Sequence, residues 1–283
     1  SIIKKINKKT LAVVGGYLTS AANTILRKTD VDLCVVGDGE IAWVGILQYM
    51  KDQLEKNENR INIEKLLEVK GIAILDDDKK LRFSGYGQRL KPHDLNFPSF
   101  DYLKTGLGGN DVLFNNYFRP FTQNEVFIMD QRSFDKGRKP NVAYTYLTKG
   151  CVAKCTFCQR GSKGYSVYDT TKLDEYLKDL KEKHDVGFIA VNDENWGSNI
   201  KLAYEQAEVL NKHNMLWSVS GVRCNSVNRK DLEYFQKMGC SYLKFGIESG
   251  SQTMLDVMEK KFTVDDIKRA IYTCNEIGLY SPS

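Results

Sequence analysis

The chain has 283 residues, 42% of them hydrophobic and 27% charged, which excludes a disordered polymer and gives enough mass for one large domain or two ordinary ones. A net charge of +5, spread along the sequence, is too weak to indicate nucleic acid, and no apolar run approaches the roughly 20 residues needed to cross a bilayer. Seven cysteines, three of them crowded between positions 151 and 158, do not fit an evenly spaced secreted disulfide framework; a reducing cytoplasm, where clustered thiols usually mean metal, fits better.

In chain order, Lys4, Lys5, Lys8 and Lys9 flank Ile2, Ile3 and Ile6, a pattern that predicts a helix with an apolar face and a solvated lysine face. The chain begins at Ser without an initiating Met, and both ends read as cut. Residues 11–14 form a short buried strand ending in Gly15 and Gly16, and 31–36 form a second ending in Gly37, Asp38, Gly39 and Glu40. A helix follows, with Trp43, Ile46, Leu47, Met50 and Leu54 at helical spacing on one face. Buried strands that stop at glycines before a helix predict part of an open parallel α/β sheet, assigned to residues 1–55.

Residues 56–140 read as a linker with local structure. Within it, 69–75 and 81–86 form a hairpin around Asp76, Asp77, Asp78, Lys79 and Lys80, where the acidic triplet is a solvated turn rather than a metal site. Pro92, Pro98, Gly106, Gly108 and Gly109 punctuate the remainder.

From 141 to 283 strands alternate with amphipathic helices. The strands are 142–147, 187–191, 215–220 and 242–246. The helices carry Leu173, Tyr176, Leu177 and Leu180, then Leu202, Ala203, Ala207 and Leu210, then Leu232 and Phe235. A last helix turns Val264, Ile267, Ile271 and Cys274 inward behind a Thr263–Asp266 capping pair, and residues 278–283 read as the entrance to a further strand. This alternation predicts a parallel sheet that places its chemistry at the carboxyl ends of the strands.

Directly after the first of these strands stand Cys151, Cys155 and Cys158 in a CxxxCxxC spacing, with Phe157 just before the third cysteine. Three thiolates in one loop suit a soft metal centre, and three ligands on a [4Fe–4S] cluster leave one iron open to an exogenous ligand. With the preceding strand and Phe157, this segment resembles the radical S-adenosylmethionine superfamily over residues 141–283. The resemblance implies an incomplete (β/α) barrel, a [4Fe–4S] cluster on the three cysteines, and Phe157 beside the adenine of S-adenosylmethionine. Cys34, Cys224, Cys240 and Cys274 sit in apolar patterns and read as small buried hydrophobes.

The other strand ends carry polar residues on schedule. Asp193 and Glu194 follow the second strand, and the resemblance places there a segment that receives the methionine amino group; a solvated loop is the alternative. Arg223 follows the third strand, where a planar guanidinium suits the cosubstrate carboxylate or a structural ion pair. After the fourth strand, Gly246-Ile247-Glu248-Ser249-Gly250-Ser251, with Leu255 and Lys260 beyond, resembles the fourth-strand motif of cobalamin-associated radical enzymes. That likeness sends Glu248 to the ribose hydroxyls or amino end of the cosubstrate and groups Ser249 with it, while Ser249 and Ser251 also suit helix capping.

Residues 1–55, with Gly15, Gly16 and Gly37, resemble the second half of the cobalamin-binding domain that precedes the barrel in one subgroup. An inert Rossmann-like domain is the alternative, and the cobalt-ligating histidine motif is absent from the sequence. The fold expected is therefore α/β: a partial parallel (β/α) radical SAM barrel preceded by part of a Rossmann-like, cobalamin-binding-type domain. The resemblance implies reductive cleavage of S-adenosylmethionine to a 5′-deoxyadenosyl radical, with methylation or rearrangement of a small-molecule or natural-product substrate where cobalamin is present. An external flavodoxin- or ferredoxin-like protein would deliver the electron. Two alternatives belong to other classes: a radical methylthiotransferase, which needs three further clustered cysteines where residues 1–140 hold only Cys34, and a non-catalytic zinc or iron–sulfur module.

Overall fold

The computed structural model describes residues 2–7, 10–56, 61–87, 89–158 and 164–281; Lys8, Lys9, Pro282, Ser283 and part of the polar stretch after 56 lie outside the described residues. The chain divides into two compact units, one within residues 1–90 and one formed by 91–158 with 164–283. The boundary differs from the expected breaks near 55 and 140, because the hairpin joins the first sheet and the short helices after residue 100 pack onto the second.

The first unit runs α1 (Ile2–Ile6), β1 (Val13–Val14), α2 (Ala22–Lys28), β2 (Leu33–Val35), α3 (Gly39–Glu55), β3 (Ile72–Leu75) and β4 (Leu81–Phe83). Its sheet has the order β1-β2-β3-β4, with β1 and β2 parallel and the other pairs antiparallel. Alternation along the strands sends Leu33, Val35, Ile72 and Ile74 to one face, where Ala42 and Ile46 of α3 cover them, and sends Cys34 and Ala73 to the other, against Ala22 and Leu26 of α2. A sheet covered by helices on both faces is the Rossmann-like arrangement expected for this segment. The acidic triplet is a turn, in which Asp76 accepts from the backbone N–H groups of Lys79 and Lys80.

Two expected faces differ. In α3 the buried stripe is Ala42, Ile46 and Gln53, with Tyr49 and Met50 packed alongside, whereas Trp43, Leu47 and Leu54 are exposed. Small Ala42 lets the helix settle closer to the sheet than Trp43 would, and rotates the stripe by one residue. In α1 both Ile2 and Ile6 are exposed, and Lys4 pairs with Asp32 at 2.6 Å, so the lysine face is partly engaged.

The second unit continues with α4 (Phe100–Gly106), α5 (Asp111–Asn115), β5 (Arg119–Pro120), α6 (Glu125–Ile128), β6 (Asn141–Thr145), β7 (Thr148–Cys151), β8 (Gly164–Val167), α7 (Thr170–His184), β9 (Val186–Trp196), α8 (Ile200–Lys212), β10 (Leu216–Val222), α9 (Arg229–Lys237), β11 (Cys240–Phe245), α10 (Gln252–Val257) and α11 (Val264–Ile277). Its main sheet has the order β11-β10-β9-β6-β5; β6, β9, β10 and β11 are parallel, and the two-residue β5 is antiparallel on the β6 edge. This is the partial (β/α) barrel. Tyr280 makes an isolated parallel bridge with Tyr242, so the segment after α11 begins to pair beyond β11.

One face of this sheet, with Ala143, Ile189, Trp217 and Leu243, packs on the helices. Leu173, Tyr176, Leu177 and Leu180 of α7 are all buried there, as their spacing predicts. The other face, with Val142, Phe188, Ala190 and Leu216, is plugged at its amino-terminal end by Phe127 of α6. Helix starts are fixed by side chains: Asp169, Asn199, Asn228 with Asp231, and Thr263 with Asp266 take up free N–H groups, each cap worth about 1 kcal/mol.

Candidate functional site

The cysteine segment does not follow its strand as a simple loop. β7 pairs antiparallel with β8, from Thr148 opposite Val167 to Cys151 opposite Gly164, so Cys151 sits at the tip of a small ribbon. The junction from β6 into this ribbon is pinned at Leu147, whose N–H donates to Asp193 Oδ1 at 2.9 Å and whose carbonyl accepts from Gln206 Nε2 at 2.9 Å. Cys151 and Cys155 are half-buried and Cys158 is exposed. Thr156, between the last two, donates its N–H to Met258 O at 3.0 Å and its hydroxyl to Val257 O at 3.2 Å, which fastens the loop to the end of α10.

All seven cysteines are free thiols. Burial raises Cys34, pushes Cys224 and Cys274 up to about 11 and raises Cys240 further, so these four are held protonated and are poor metal ligands. That leaves the three loop cysteines as the available donors. Among the described residues no three His, Cys, Asp or Glu side chains converge on one point as ligands of a single ion would. A four-iron cube binds each thiolate on a different iron, so its ligands need not converge on one point; the donor set of three thiols on eight residues fits such a cluster.

Phe157, Glu248 and Arg223 gather around Lys260, which follows the fourth-strand motif. Its ammonium lies 3.3 Å from Glu248 Oε1, 5.7 Å from the centroid of the Phe157 ring and 5.3 Å from that of Phe262. The Arg223 guanidinium also lies over the Phe262 ring, 5.3 Å from its centroid, and donates to the Lys260 carbonyl. Asn225 donates to Lys261 O at 3.0 Å. Glu248 itself is held at φ +65°, with Ser249 N–H bonded to Ile247 O at 2.8 Å, a tight three-residue turn that L side chains rarely adopt and that recurs at functional sites. Ser249 accepts from Ser251 N–H and Ser251 accepts from Met254 N–H, so both serines shape the entrance to α10.

Asp193 is placed differently from the expected cosubstrate contact. It is buried, and besides Leu147 it accepts from Thr148 Oγ1 at 2.7 Å. Burial above all raises its pKa, to about 7, and the neighbouring Glu194 adds to the rise, against the lowering by the hydrogen bonds of Thr148 and Leu147. Asp193 thus holds the base of the cysteine ribbon. Glu194, the next residue, is half-buried at the same strand end. Beneath them Gly221, at φ +76°, leaves room for the Asp193 carbonyl, which would stand 2.1 Å from a Cβ there.

In the first unit β1 and β2 are parallel, so Gly15 and Gly16 run out at the same sheet edge as Gly37. Gly16 has φ +82° and Gly37 +91°; no atom lies within 4 Å of a Cβ built on Gly15 or Gly16, whereas one on Gly37 would meet the Tyr86 ring at 3.5 Å, so the rim is open at Gly15 and Gly16.

Sequence reasoning missed Phe262 and Thr156, and named Lys260 in the fourth-strand motif without its contacts. The fold shows that Lys260 is 5% exposed. Residues 145–281 match the model of the Radical SAM superfamily. The anaerobic magnesium-protoporphyrin IX monomethyl ester cyclase of Cereibacter sphaeroides is 24% identical over 99% of this chain and 42% of its own length. That of Rubrivivax gelatinosus is 30% identical over 49% of this chain and 26% of its own length. The solved structure of the cobalamin-dependent S-adenosylmethionine radical enzyme OxsB, with aqua-cobalamin and S-adenosylmethionine bound, overlays 99% of this chain and 37% of its own at a TM-score of 0.69 and 16% identity. The chain therefore spans less than half the length of each of these proteins.

Proposed function

We propose, from the premise that residues 145–281 belong to the Radical SAM superfamily, that this chain holds a [4Fe–4S] cluster on Cys151, Cys155 and Cys158 and uses it to cleave S-adenosylmethionine. When bound, the reduced cluster supplies the electron that breaks a carbon–sulfur bond of the sulfonium and frees a 5′-deoxyadenosyl radical for hydrogen abstraction. The protein's part is position. Cys151, Cys155 and Cys158 would hold the cluster through three thiolates, which would leave one iron for the amino-acid end of the cosubstrate. Phe157 offers a flat apolar face to the adenine, Glu248 accepts from ribose hydroxyls or the ammonium, Glu194 faces the same ammonium from β9, and Arg223 keeps N–H groups for the carboxylate. Asp193, spent on Leu147 and Thr148, supports the ribbon and not the cosubstrate.

One observation carries this reading: Phe157 of the cysteine loop and Glu248 of the fourth-strand motif, distant in sequence, meet on the same ammonium at the carboxyl end of the parallel sheet. The glycine rim of the first unit supports a cobalamin whose nucleotide tail lies along Gly15, Gly16 and Gly37, as OxsB is described with aqua-cobalamin. The reaction is then methylation or rearrangement of a small molecule in the cytoplasm, with an external flavodoxin- or ferredoxin-like electron donor. No described helix is long and apolar enough to cross a membrane.

Anaerobic reconstitution with iron and sulfide tests the assignment. Cys151→Ala, Cys155→Ala and Cys158→Ala each lose the cluster, while Cys34→Ala and Cys274→Ala keep about four irons per chain. Equal loss in all five variants refutes the ligand assignment, and one zinc per chain in its place returns the site to a structural module.

A further inference from the structure

We propose that Lys260 is a positioning residue whose buried ammonium clamps the cysteine loop to the strand-end glutamate, so that the loop is set before any cofactor arrives. The inference deepens the functional reading and rests on it for what the loop holds; the clamp itself is a property of the cofactor-free chain.

A lysine at a protein surface extends its ammonium into water while its methylenes lie on apolar neighbours. Lys260 does not, since its side chain is 7% exposed. A buried cation is tolerated only where it is paired, and its partners come from the end of β11, the cysteine loop and its own α10–α11 connection. Glu248 supplies the counter-charge from the end of β11, Phe157 a ring face from between Cys155 and Cys158, and Phe262 a second ring. Each ring attracts the ammonium through its negative face. The backbone of the same segment repeats the connections: Met258 and Val257 accept from Thr156 in the loop, and the Lys260 and Lys261 carbonyls accept from Arg223 and Asn225 beyond β10.

The segment is itself held in one conformation. Lys260 N–H bonds back to Leu255 O at 3.0 Å and closes the end of α10, with Glu259 at φ +53° and Lys261 at φ +54° on either side. Two left-handed residues around one lysine aim its side chain inward between the rings. Loop, third-strand arginine and fourth-strand glutamate thereby share a single anchor, and cosubstrate contacts arranged on them need no reorganisation on binding.

Hydrogen–deuterium exchange on the folded, iron-free chain tests the clamp, so a failure here is separate from any failure of cluster assembly. Lys260→Met keeps the apolar stem and deletes the charge; the amides of residues 152–158, Thr156 above all, then exchange about tenfold faster or more, while the helices of the barrel do not change. Lys260→Arg, which restores a cation, recovers most of the protection. Glu248→Gln loosens the same amides, and the double variant with Lys260→Met is no looser than Lys260→Met alone, because both act through one pair. Unchanged loop exchange in Lys260→Met, or equal loss of protection in Lys260→Arg, overturns the proposal. Should Lys260→Met not fold, Phe157→Leu takes its place: faster exchange confined to the loop supports the clamp and unchanged exchange refutes it.

Discussion

Replacing Asp193 with Asn separates a structural carboxylate from a cosubstrate ligand through the pH dependence of stability. Burial raises this acid from 3.8 to about 7, with Glu194 adding to the rise. Its folded-state value therefore lies above its unfolded one, and between roughly pH 4 and pH 7 the folded chain binds the extra proton. Stability from this group is greatest below that window, falls as pH climbs through it, and is flat above. At about 1.4 kcal/mol for each tenfold change in proton affinity, the ionised carboxylate costs on the order of 4 kcal/mol at pH 8, an upper figure because water penetration softens burial. Asn carries no such cost at any pH. It can accept from either Leu147 N–H or Thr148 Oγ1 but not both, and so forfeits about 1–2 kcal/mol throughout. Urea unfolding between pH 4.5 and 8.5 should show Asp193→Asn less stable than the native chain at the acid end and equal or better at the alkaline end. Burial lowers His184, which slopes the other way near neutrality, but it is common to both proteins and cancels in the difference. Parallel curves for the two proteins would show that Asp193 is not titrating in the interior and would reopen its role at the cosubstrate.

Gly221→Ala places a methyl 2.1 Å from the Asp193 carbonyl at a φ of +76°, so we expect a loss of about 3 kcal/mol or more in chemical unfolding; a loss below 1 kcal/mol contradicts the close approach. Glu248→Ala keeps its iron but strands the Lys260 cation between two rings, so stability falls by about 1–2 kcal/mol, a figure discounted for the half-exposed glutamate. Cosubstrate affinity by calorimetry weakens with it, and unaltered affinity returns Glu248 to a purely structural place. Glu259→Gly relieves a left-handed residue at the end of α10 and stabilises by about 0.5–1 kcal/mol; a lower thermal midpoint argues against that turn.

The barrel was legible because burial imposes period on sequence. Leu173, Tyr176, Leu177 and Leu180 repeat at helical spacing, and all four are buried. The 187–191 run is apolar without alternation because β9 is covered on both sides. Thr263 and Asp266 announced a helix start and form its reciprocal cap. The ribbon carrying Cys151 was not legible, since Thr148-Lys149-Gly150-Cys151 has no alternation and its partner lies beyond the cysteines. The buried stripe of α3 was misplaced by one residue because hydrophobicity alone favours Trp43 and Leu47 over Ala42, and only the approach of the sheet selects the smaller side chain. The burial of Lys260 was not legible because a lysine's depth depends on partners contributed from elsewhere in the chain.

The antiparallel β5 has a consequence for how the sheet can grow. Pro120 has no N–H to offer a neighbour, and a two-residue strand presents too short a rail for another chain to dock upon. Pairing can proceed only past β11, where Tyr280 has already taken the first position. Among the described residues the sheet thus ends at β5 on its β6 side, and a further strand would add at its β11 edge.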